Sequence, residues 1–477
     1  MRSRRRHGAS VSVDVTAALR RARSSVAATT RVLRAEDRGP VLLVVAVGWL
    51  LVLGTRVVLP TLLPQVREAF GFDAATAGLL ISALWGAYAL AQFPAGVLAD
   101  RIGERRTLVL GTALVAAGAC CLALAPTFPV FVVGAVAFGL GAGLYAPPRV
   151  TVLSRTYPDR DGTALGVTFA LGNFGAAALP VVAGGLALWV GWRYGFGVMI
   201  VPLGLCVLGL WRFVPAGRSD AVVAAADPPR TIARRVVSEL TDRTVSHAWL
   251  AMTLMLFTYQ GLEAFLPTYL VAVKGVDPGT AATLFGLYFA SGAIIQPFAG
   301  SAADRFGAPR VLAALAVLGV ATLIALPAVE GIGMLTVVIA ALGTRLGNGP
   351  VGNGYVAAVL SEEVKGSGYG LFRTIYMAVG ALGSTFVGVL AGLERFDEAF
   401  LALAAITAVA AVLYYLLPEL DRAEPEATDA RASDEPAETG IAANDRDETA
   451  GTDAPSSRTV EPGSDTGEEP EPDDVTD

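Results

Sequence analysis

Between Val41 and Pro418 the chain is an almost unbroken succession of apolar runs, each about 20 residues long, enough for a helix to cross a hydrocarbon core of roughly 30 Å. Inside lipid only helices and closed barrels satisfy every backbone polar group. Barrel strands would alternate apolar and polar residues with period two, and these runs do not. Twelve runs are read, at residues 41–63, 77–99, 107–125, 130–152, 163–188, 194–214, 248–272, 280–303, 310–328, 332–358, 368–392 and 398–417. The expected fold class is an all-α membrane protein with twelve transmembrane helices. Charged residues make up 16% of the chain, against about 25% in soluble proteins.

The charge is unevenly spread. Residues 419–477 hold 20 acidic and 4 basic residues, a net of −16, while the remainder holds 32 basic and 22 acidic residues, a net of +10. The tail has no aromatics and is rich in Pro, Gly, Ser and Thr, so it is expected to be disordered. Five segments follow: a basic cytoplasmic arm at 1–40, a six-helix half at 41–214, a cytoplasmic linker at 215–247, a second six-helix half at 248–418, and the acidic cytoplasmic tail at 419–477. The first apolar run is full length and starts near residue 41, so no cleavable signal peptide is expected. Cys120, Cys121 and Cys206 lie inside apolar runs and read as packing residues. Arginines cluster after runs two, four, six and eight, at Arg101, Arg105, Arg106, Arg155, Arg160, Arg218, Arg230, Arg234, Arg235, Arg243, Arg305 and Arg310. Positive charge in short loops marks the cytoplasmic side, which puts both termini there, with the plasma membrane as the expected location.

The chain repeats itself. Gln92, Gly96, Asp100, Arg101 and Gly103 recur as Gln296, Gly300, Asp304, Arg305 and Gly307, all 204 residues later. "LPTLL" at Leu59 recurs as "LPTYL" at Leu266, and "VLS" at Val152 recurs at Val359, both 207 residues later. The halves are therefore parallel copies, as in transporters whose site lies near the midplane between repeats.

On these residues the chain resembles the major facilitator superfamily. "GVLADRIGERR" at Gly96 is similar to that family's loop 2–3 signature, Gly-x-Leu-Ala-Asp-Arg-x-Gly-Arg-Lys, and "GSAADRFGAPR" at Gly300 to its degenerate copy in loop 8–9. "GWRYGF" at Gly191 resembles the family's Trp-Arg-x-x-Phe start of helix six, and "GNFGAAALPVVAGG" its helix-five antiporter signature, with imperfect spacing between Pro180 and Gly184. The chain departs from the family in two places. Glu104 replaces the first basic residue after Gly103, and the frequent helix-four arginine is absent, Phe138 standing where the 207-residue offset pairs with Arg345. The resemblance implies two pseudo-symmetric six-helix halves working by alternating access. It also implies gating by Gly96, Asp100, Arg101, Gly103 and Arg105, with Gly300, Asp304, Arg305 and Gly307 as the equivalent set. Asp100 is expected to latch the cytoplasmic side through a helix N-terminus or an arginine. The alternative is that these are solvated turn charges that only orient the helices.

Ionisable residues at mid-helix are costly in lipid and usually face a cavity or a partner. Arg56 in run one, Glu263 in run seven, Arg345 in run ten and Arg373 in run eleven qualify, and Glu263 is the repeat equivalent of Arg56. Arg149, nearer the end of run four, is expected to snorkel. The resemblance implies that helices one, four, seven and ten line the cavity. Tyr259 shares a helix face with Glu263, and Asn348 lies one turn from Arg345 in a Gly-rich run carrying Pro350, a composition that permits bending. The substrate-binding set is thus Arg56, Tyr259, Glu263, Arg345, Asn348 and Arg373. Three arginines against one glutamate point to an anion, because the guanidinium captures carboxylate or phosphate bidentately. Family members with a helix-one arginine often carry organic acids, sugar acids or phosphate esters. Glu263 is read either as a proton-binding group or as a structural partner of an arginine.

The expected function is secondary active transport of a small organic anion, with no cofactor, coupled to a proton or sodium gradient. The protein is expected to act as a monomer in the bilayer without a nucleic-acid partner. No Walker loop or other enzyme motif is present, so no enzymatic activity is expected. The alternatives are multidrug-type efflux and a transporter-like sensor.

Overall fold

A computed structural model describes residues 38–158, 161–216, 229–361 and 367–419. The basic arm up to residue 37, linker residues 217–228 and the acidic tail from residue 420 lie outside the described residues. Twelve long helical spans occupy them, numbered here in chain order. The first half holds span 1 (Gly39–Phe70), span 2 (Ala74–Ile102), span 3 (Glu104–Leu124), span 4 (Phe128–Thr156), span 5 (Asp161–Val190) and span 6 (Trp192–Phe213). The second holds span 7 (Arg243–Ala272), span 8 (Pro278–Phe306), span 9 (Ala308–Ala328), span 10 (Ile332–Val359), span 11 (Ser367–Gly392) and span 12 (Phe396–Tyr415). A short helix, Pro229–Glu239, precedes span 7.

Eleven of the twelve are apolar enough to cross a membrane on composition alone. The exception is span 7, a 30-residue helix diluted by Thr253, Thr258, Gln260, Glu263 and Thr268, all buried. Its polarity is turned inward, so it belongs to the bundle despite its composition. Large apolar side chains such as Leu79, Leu90, Leu205 and Ile294 point outward, where lipid rather than water is their natural neighbour. Span 1 runs past its apolar stretch to Phe70, despite Pro60 and Pro64, and stops only at Gly71, whose φ is +70°.

The packing repeats with a six-span shift. Span 1 packs on span 5 and span 7 on span 11; span 2 packs on span 4 and span 8 on span 10; span 3 packs on span 6 and span 9 on span 12. The halves meet where span 2 lies along span 11 and span 5 along span 8. The first seam is close because Gly78 has no side chain: a Cβ there would collide with the Ser384 carbonyl oxygen. Next to it Ser82 Oγ donates to the Ala381 carbonyl at 2.6 Å and lies 2.6 Å from the Thr385 hydroxyl. Across the second seam Asn173 Nδ2 donates to Gln296 Oε1 at 3.0 Å.

Turn chemistry repeats too. Asp73 Oδ1 accepts from Thr76 N at 2.8 Å, and Asp277 Oδ1 from Thr280 N at 2.9 Å, capping spans 2 and 8 at equivalent places. The threonine hydrogen bonds hold both carboxyls below the ordinary value of 3.8. Each cap therefore adds stability at neutral pH and loses it as the pH falls through the carboxylate range. Gly103 and Gly307 join spans 2 to 3 and 8 to 9 at φ +88° and +90°, a conformation that side chains disfavour.

Candidate functional site

Span 10 is broken. Between Ile332–Gly343 and Asn348–Val359 the residues Thr344–Gly347 form a 3-10 turn. Pro350 has no N–H to give to the carbonyl of residue 346, so the ladder is weakened where the chain is also rich in glycine. Arg345 sits in this break and is 3% exposed. One of its amino groups donates to Thr258 Oγ1 of span 7, while Nη1 has no hydrogen-bond partner among the described residues. Asn348 is fixed by Tyr414 of span 12, whose hydroxyl donates to Asn348 Oδ1 at 2.8 Å.

Arg345 and Asn348 face a cavity of about 200 Å³. Tyr259 of span 7 and Arg373 of span 11 line it too, and Met252, Met255 and Met377 form an apolar, deformable wall. Four of the six sequence-selected residues thus share one cavity. Its lining comes from spans 7, 10, 11 and 12, whereas spans 1 and 4 were expected to contribute. Contact with the other half runs through Gln92 of span 2, whose Nε2 donates to Met377 Sδ at 2.9 Å.

Arg56 and Glu263 lie beside the cavity rather than in its wall. The Arg56 guanidinium stacks 3.9 Å from the Trp85 ring centroid and lies 5.6 Å from that of Tyr88. Its charge acts on both Glu263 and Tyr259, and Glu263 interacts with Tyr259 one turn away. Among the described residues Arg56 and Glu263 do not form an ion pair within 4.0 Å. Glu263 is 2% exposed, and its Oε2, both polar atoms of Gln260 and the Tyr288 hydroxyl have no hydrogen-bond partner among the described residues. Tyr288 joins the cluster to Arg345 through their electrostatic interaction.

Arg149 corrects an expectation. Rather than reaching to the helix end, it is 4% exposed, with its guanidinium carbon 3.8 Å from the Trp49 centroid and 4.9 Å from that of Phe169. A guanidinium at the membrane centre costs about 3 kcal/mol on insertion scales, and a desolvated stack on tryptophan offsets about 2 kcal/mol. Aromatic stacking thus compensates most of the cost for Arg56 and Arg149. Arg345 lacks such a stack among the described contacts; Thr258 accepts from one amino group and Nη1 has no hydrogen-bond partner among the described residues. Sequence reasoning also missed Thr258, Tyr414 and the methionines. The methionines carried a signal, since the whole chain has only 6 and three line this cavity.

The loop residues Asp100, Arg101, Gly103 and Arg105, with Gly96 one turn earlier, cluster at the end of span 2 and the start of span 3, and Gly300, Asp304, Arg305 and Gly307 at the end of span 8. Asp100 and Arg101 are exposed, and among the described residues Asp100 joins no ion pair. A cation–π contact holds Arg105 4.7 Å from the Trp211 centroid. Glu104, the departure from the signature, is buried and pairs with Arg155 at the end of span 4. An acid in the first turn of span 3 also suits the helix dipole. In the second half Arg310, near the start of span 9, pairs with Glu419 beyond the end of span 12 at 2.8 Å.

The Major Facilitator Superfamily profile matches residues 44–283 and again residues 273–449. The tetracenomycin C resistance and export protein of Streptomyces glaucescens is 26% identical over 412 residues, covering 74% of this chain and 75% of that protein. A probable sulfoacetate transporter of Cupriavidus necator is 25% identical over 293 residues, covering 57% of this chain and 66% of that protein. Further relatives are matched over only 33% and 32% of their own length. The crystal structure of a bacterial homolog of the human lysosomal transporter Spinster, inward-facing and unoccupied, matches with a TM-score of 0.66 at 20% identity, covering 80% of this chain and 97% of that one. With twelve spans in two repeated halves, the chain belongs to the major facilitator superfamily and is a multi-pass membrane protein.

Proposed function

We propose that the protein moves a small organic anion, with Arg345 as its principal anchor. The observation that carries this reading is the buried Arg345 guanidinium, which lines the cavity while its Nη1 has no hydrogen-bond partner among the described residues. Among the described residues of the spans, Arg56, Arg149 and Arg373 accompany it against one mid-span acid, Glu263, an excess of positive charge that an anion would neutralise. Tyr259 and Asn348 supply polar contacts. The cavity volume of about 200 Å³ is below the several hundred Å³ of sites for drug-sized molecules, which favours a metabolite. The sulfoacetate transporter among the relatives supports the same substrate class. Glu263 is the candidate coupling group, exchanging a proton as the anion binds. The arginine distribution favours cytoplasmic termini and the plasma membrane.

The test is uptake into proteoliposomes of a radiolabelled panel of carboxylates, sulfonates and phosphate esters, with and without an inward proton or sodium gradient. Accumulation of a member of the panel supports the reading. Failure of all of them, with transport of neutral or cationic amphiphiles, overturns it. The methionine wall, together with the antibiotic exporter among the relatives, favours a second reading, export of an amphipathic compound. A sensor would move nothing in either direction.

Asp100 and its neighbours are proposed to latch the cytoplasmic side shut. Asp100→Asn should lower uptake severalfold with normal membrane insertion, and full activity in that variant removes the latch.

A further inference from the structure

The two seams between the halves share one register. The offset of 204 residues that relates span 2 to span 8 also relates span 5 to span 11, where Gly166, Asn173 and Gly184 correspond to Gly370, Met377 and Gly388. Contacts across the seams match pair by pair. A Cβ on Gly78 would lie 3.1 Å from Gly388 Cα, and a Cβ on Gly184 would lie 2.7 Å from the Cβ of Ala282, the equivalent of Gly78. Gln92 reaches Met377, while Asn173 reaches Gln296. Ser82 meets Ala381 and Thr385, while its equivalent, Gly286, faces Ala177 and Val181.

The chemistry of the matched pairs differs, and in opposite senses at the two ends. Toward the Gly103 and Gly307 turns, the span 5–span 8 seam has an amide-to-amide hydrogen bond at 3.0 Å. The span 2–span 11 seam has the Met377 sulfur there instead, a weak acceptor. Toward the opposite face, about 15 Å farther along span 2, Ser82 Oγ donates to the Ala381 carbonyl at 2.6 Å, lies 2.6 Å from the Thr385 hydroxyl and accepts from Thr385 N at 3.2 Å. At the matching place Gly286 has no side chain, and a Cβ would stand 2.5 Å from the Ala177 carbonyl oxygen and 3.0 Å from Val181 Cγ2. Among the matched pairs, each seam therefore has a hydrogen bond to oxygen at one end only, and the ends are opposite. The weak contact also borders the cavity, because Met377 lines it, so any solute that fills the cavity meets this seam where it is weakest.

We propose that the seams open at opposite faces: span 2 parts from span 11 at the face of the Gly103 and Gly307 turns, and span 5 parts from span 8 at the other face. Ser82 and Asn173 are the holding contacts, and Gln92 is the positioning residue that keeps Met377 in the cavity wall until the seam opens. Passage toward the Gly103 face then runs beside Met377, between spans 2 and 11.

The experiment is double electron–electron resonance on the full-length protein in lipid nanodiscs, in a background with Cys120, Cys121 and Cys206 changed to Ala. Nitroxides are carried on cysteines introduced at Val97 with Ile375 and at the repeat-equivalent Ser301 with Leu171 for the Gly103 face, and at Leu79 with Val389 and at Thr283 with Gly185 for the other. On the Gly103 face the longer-distance population is expected to be about fivefold larger for the span 2–span 11 pair, the factor that one neutral hydrogen bond contributes, and the order reverses on the other face. Equal populations at the two seams of either face, zero included, overturn the proposal with no seam contact altered. Met377→Asn, which gives this seam the amide of its counterpart, is expected to shrink the longer population of the Val97 and Ile375 pair about fivefold, and an unchanged population overturns the proposal. Gln92→Met should enlarge that population, and the exchange variant, Gln92→Met with Met377→Gln, should restore it by reversing donor and acceptor. Failure of the exchange to restore it removes the role given to Gln92.

Discussion

Arg345→Gln is expected to abolish uptake while leaving the protein in the membrane at normal or higher abundance. The side chain sits in the 3-10 break of span 10, is 3% exposed, and spends one amino group on Thr258. Nη1, with two N–H donors, has no hydrogen-bond partner among the described residues. Each charge-assisted hydrogen bond contributes about 1.5–3 kcal/mol, so losing two of them lowers affinity by roughly two to four orders of magnitude. Insertion should not suffer, because removing a buried guanidinium relieves a cost of about 3 kcal/mol. Arg345→Lys should recover only a minor part, since an ammonium keeps the charge but not the planar fork. The measurement is initial uptake rate normalised to protein in the membrane. Uptake by Arg345→Gln above about a tenth of the wild-type rate, well outside the loss expected for two such bonds, would sink the assignment.

The second large effect concerns Arg56 and Glu263. Arg56→Gln is expected to be inactive, Glu263→Gln to lose the normal pH dependence of uptake, and the double variant to do no better than Arg56→Gln. The reasoning is geometric. Arg56 is supported by the Trp85 face at 3.9 Å, and Glu263 interacts with Tyr259 at the cavity wall. Neither depends on the other for a direct ion pair. A pair retained only for mutual neutralisation would behave otherwise, because removing one charge strands the other at a cost of several kcal/mol, and removing both restores balance. Uptake across pH in the four proteins separates the cases. Recovery in the double variant would demote both residues to a structural pair.

The spans and the repeat were legible because lipid imposes a strong rule on composition, and duplication leaves fixed offsets. Span 7 shows where that rule weakens: Gln260 and Glu263 dilute its apolar run at 248–272, which still marks it as a span, and packing explains why its polar residues are tolerated. The break in span 10 could be anticipated from Pro350 and its glycines, and the approach of Arg56 to Glu263 from the 207-residue offset. Arg149 could not be placed, because sequence gives depth along a helix but not what crosses it, and Trp49 and Phe169 come from other spans. Thr258 was hidden for a related reason. Threonines in helices commonly bond their own backbone, as Thr258 also does toward the Met255 carbonyl at 3.0 Å, so nothing marks one as an arginine partner.

The opposite charges at the repeat-equivalent positions Arg56 and Glu263 have a consequence for assembly. A duplicated six-helix unit carries the hazard that each copy resembles its sibling, so two first halves from neighbouring nascent chains could associate in place of the proper pair. Here that error is discouraged electrostatically. Two first halves would oppose Arg56 to Arg56, and two second halves would oppose Glu263 to Glu263. At this pair of positions the heterologous pairing brings cation and anion into the same low-dielectric space, where like charges are most strongly penalised. Divergence at this one equivalent position therefore acts as a recognition code within the chain, biasing co-translational association toward the intramolecular partner.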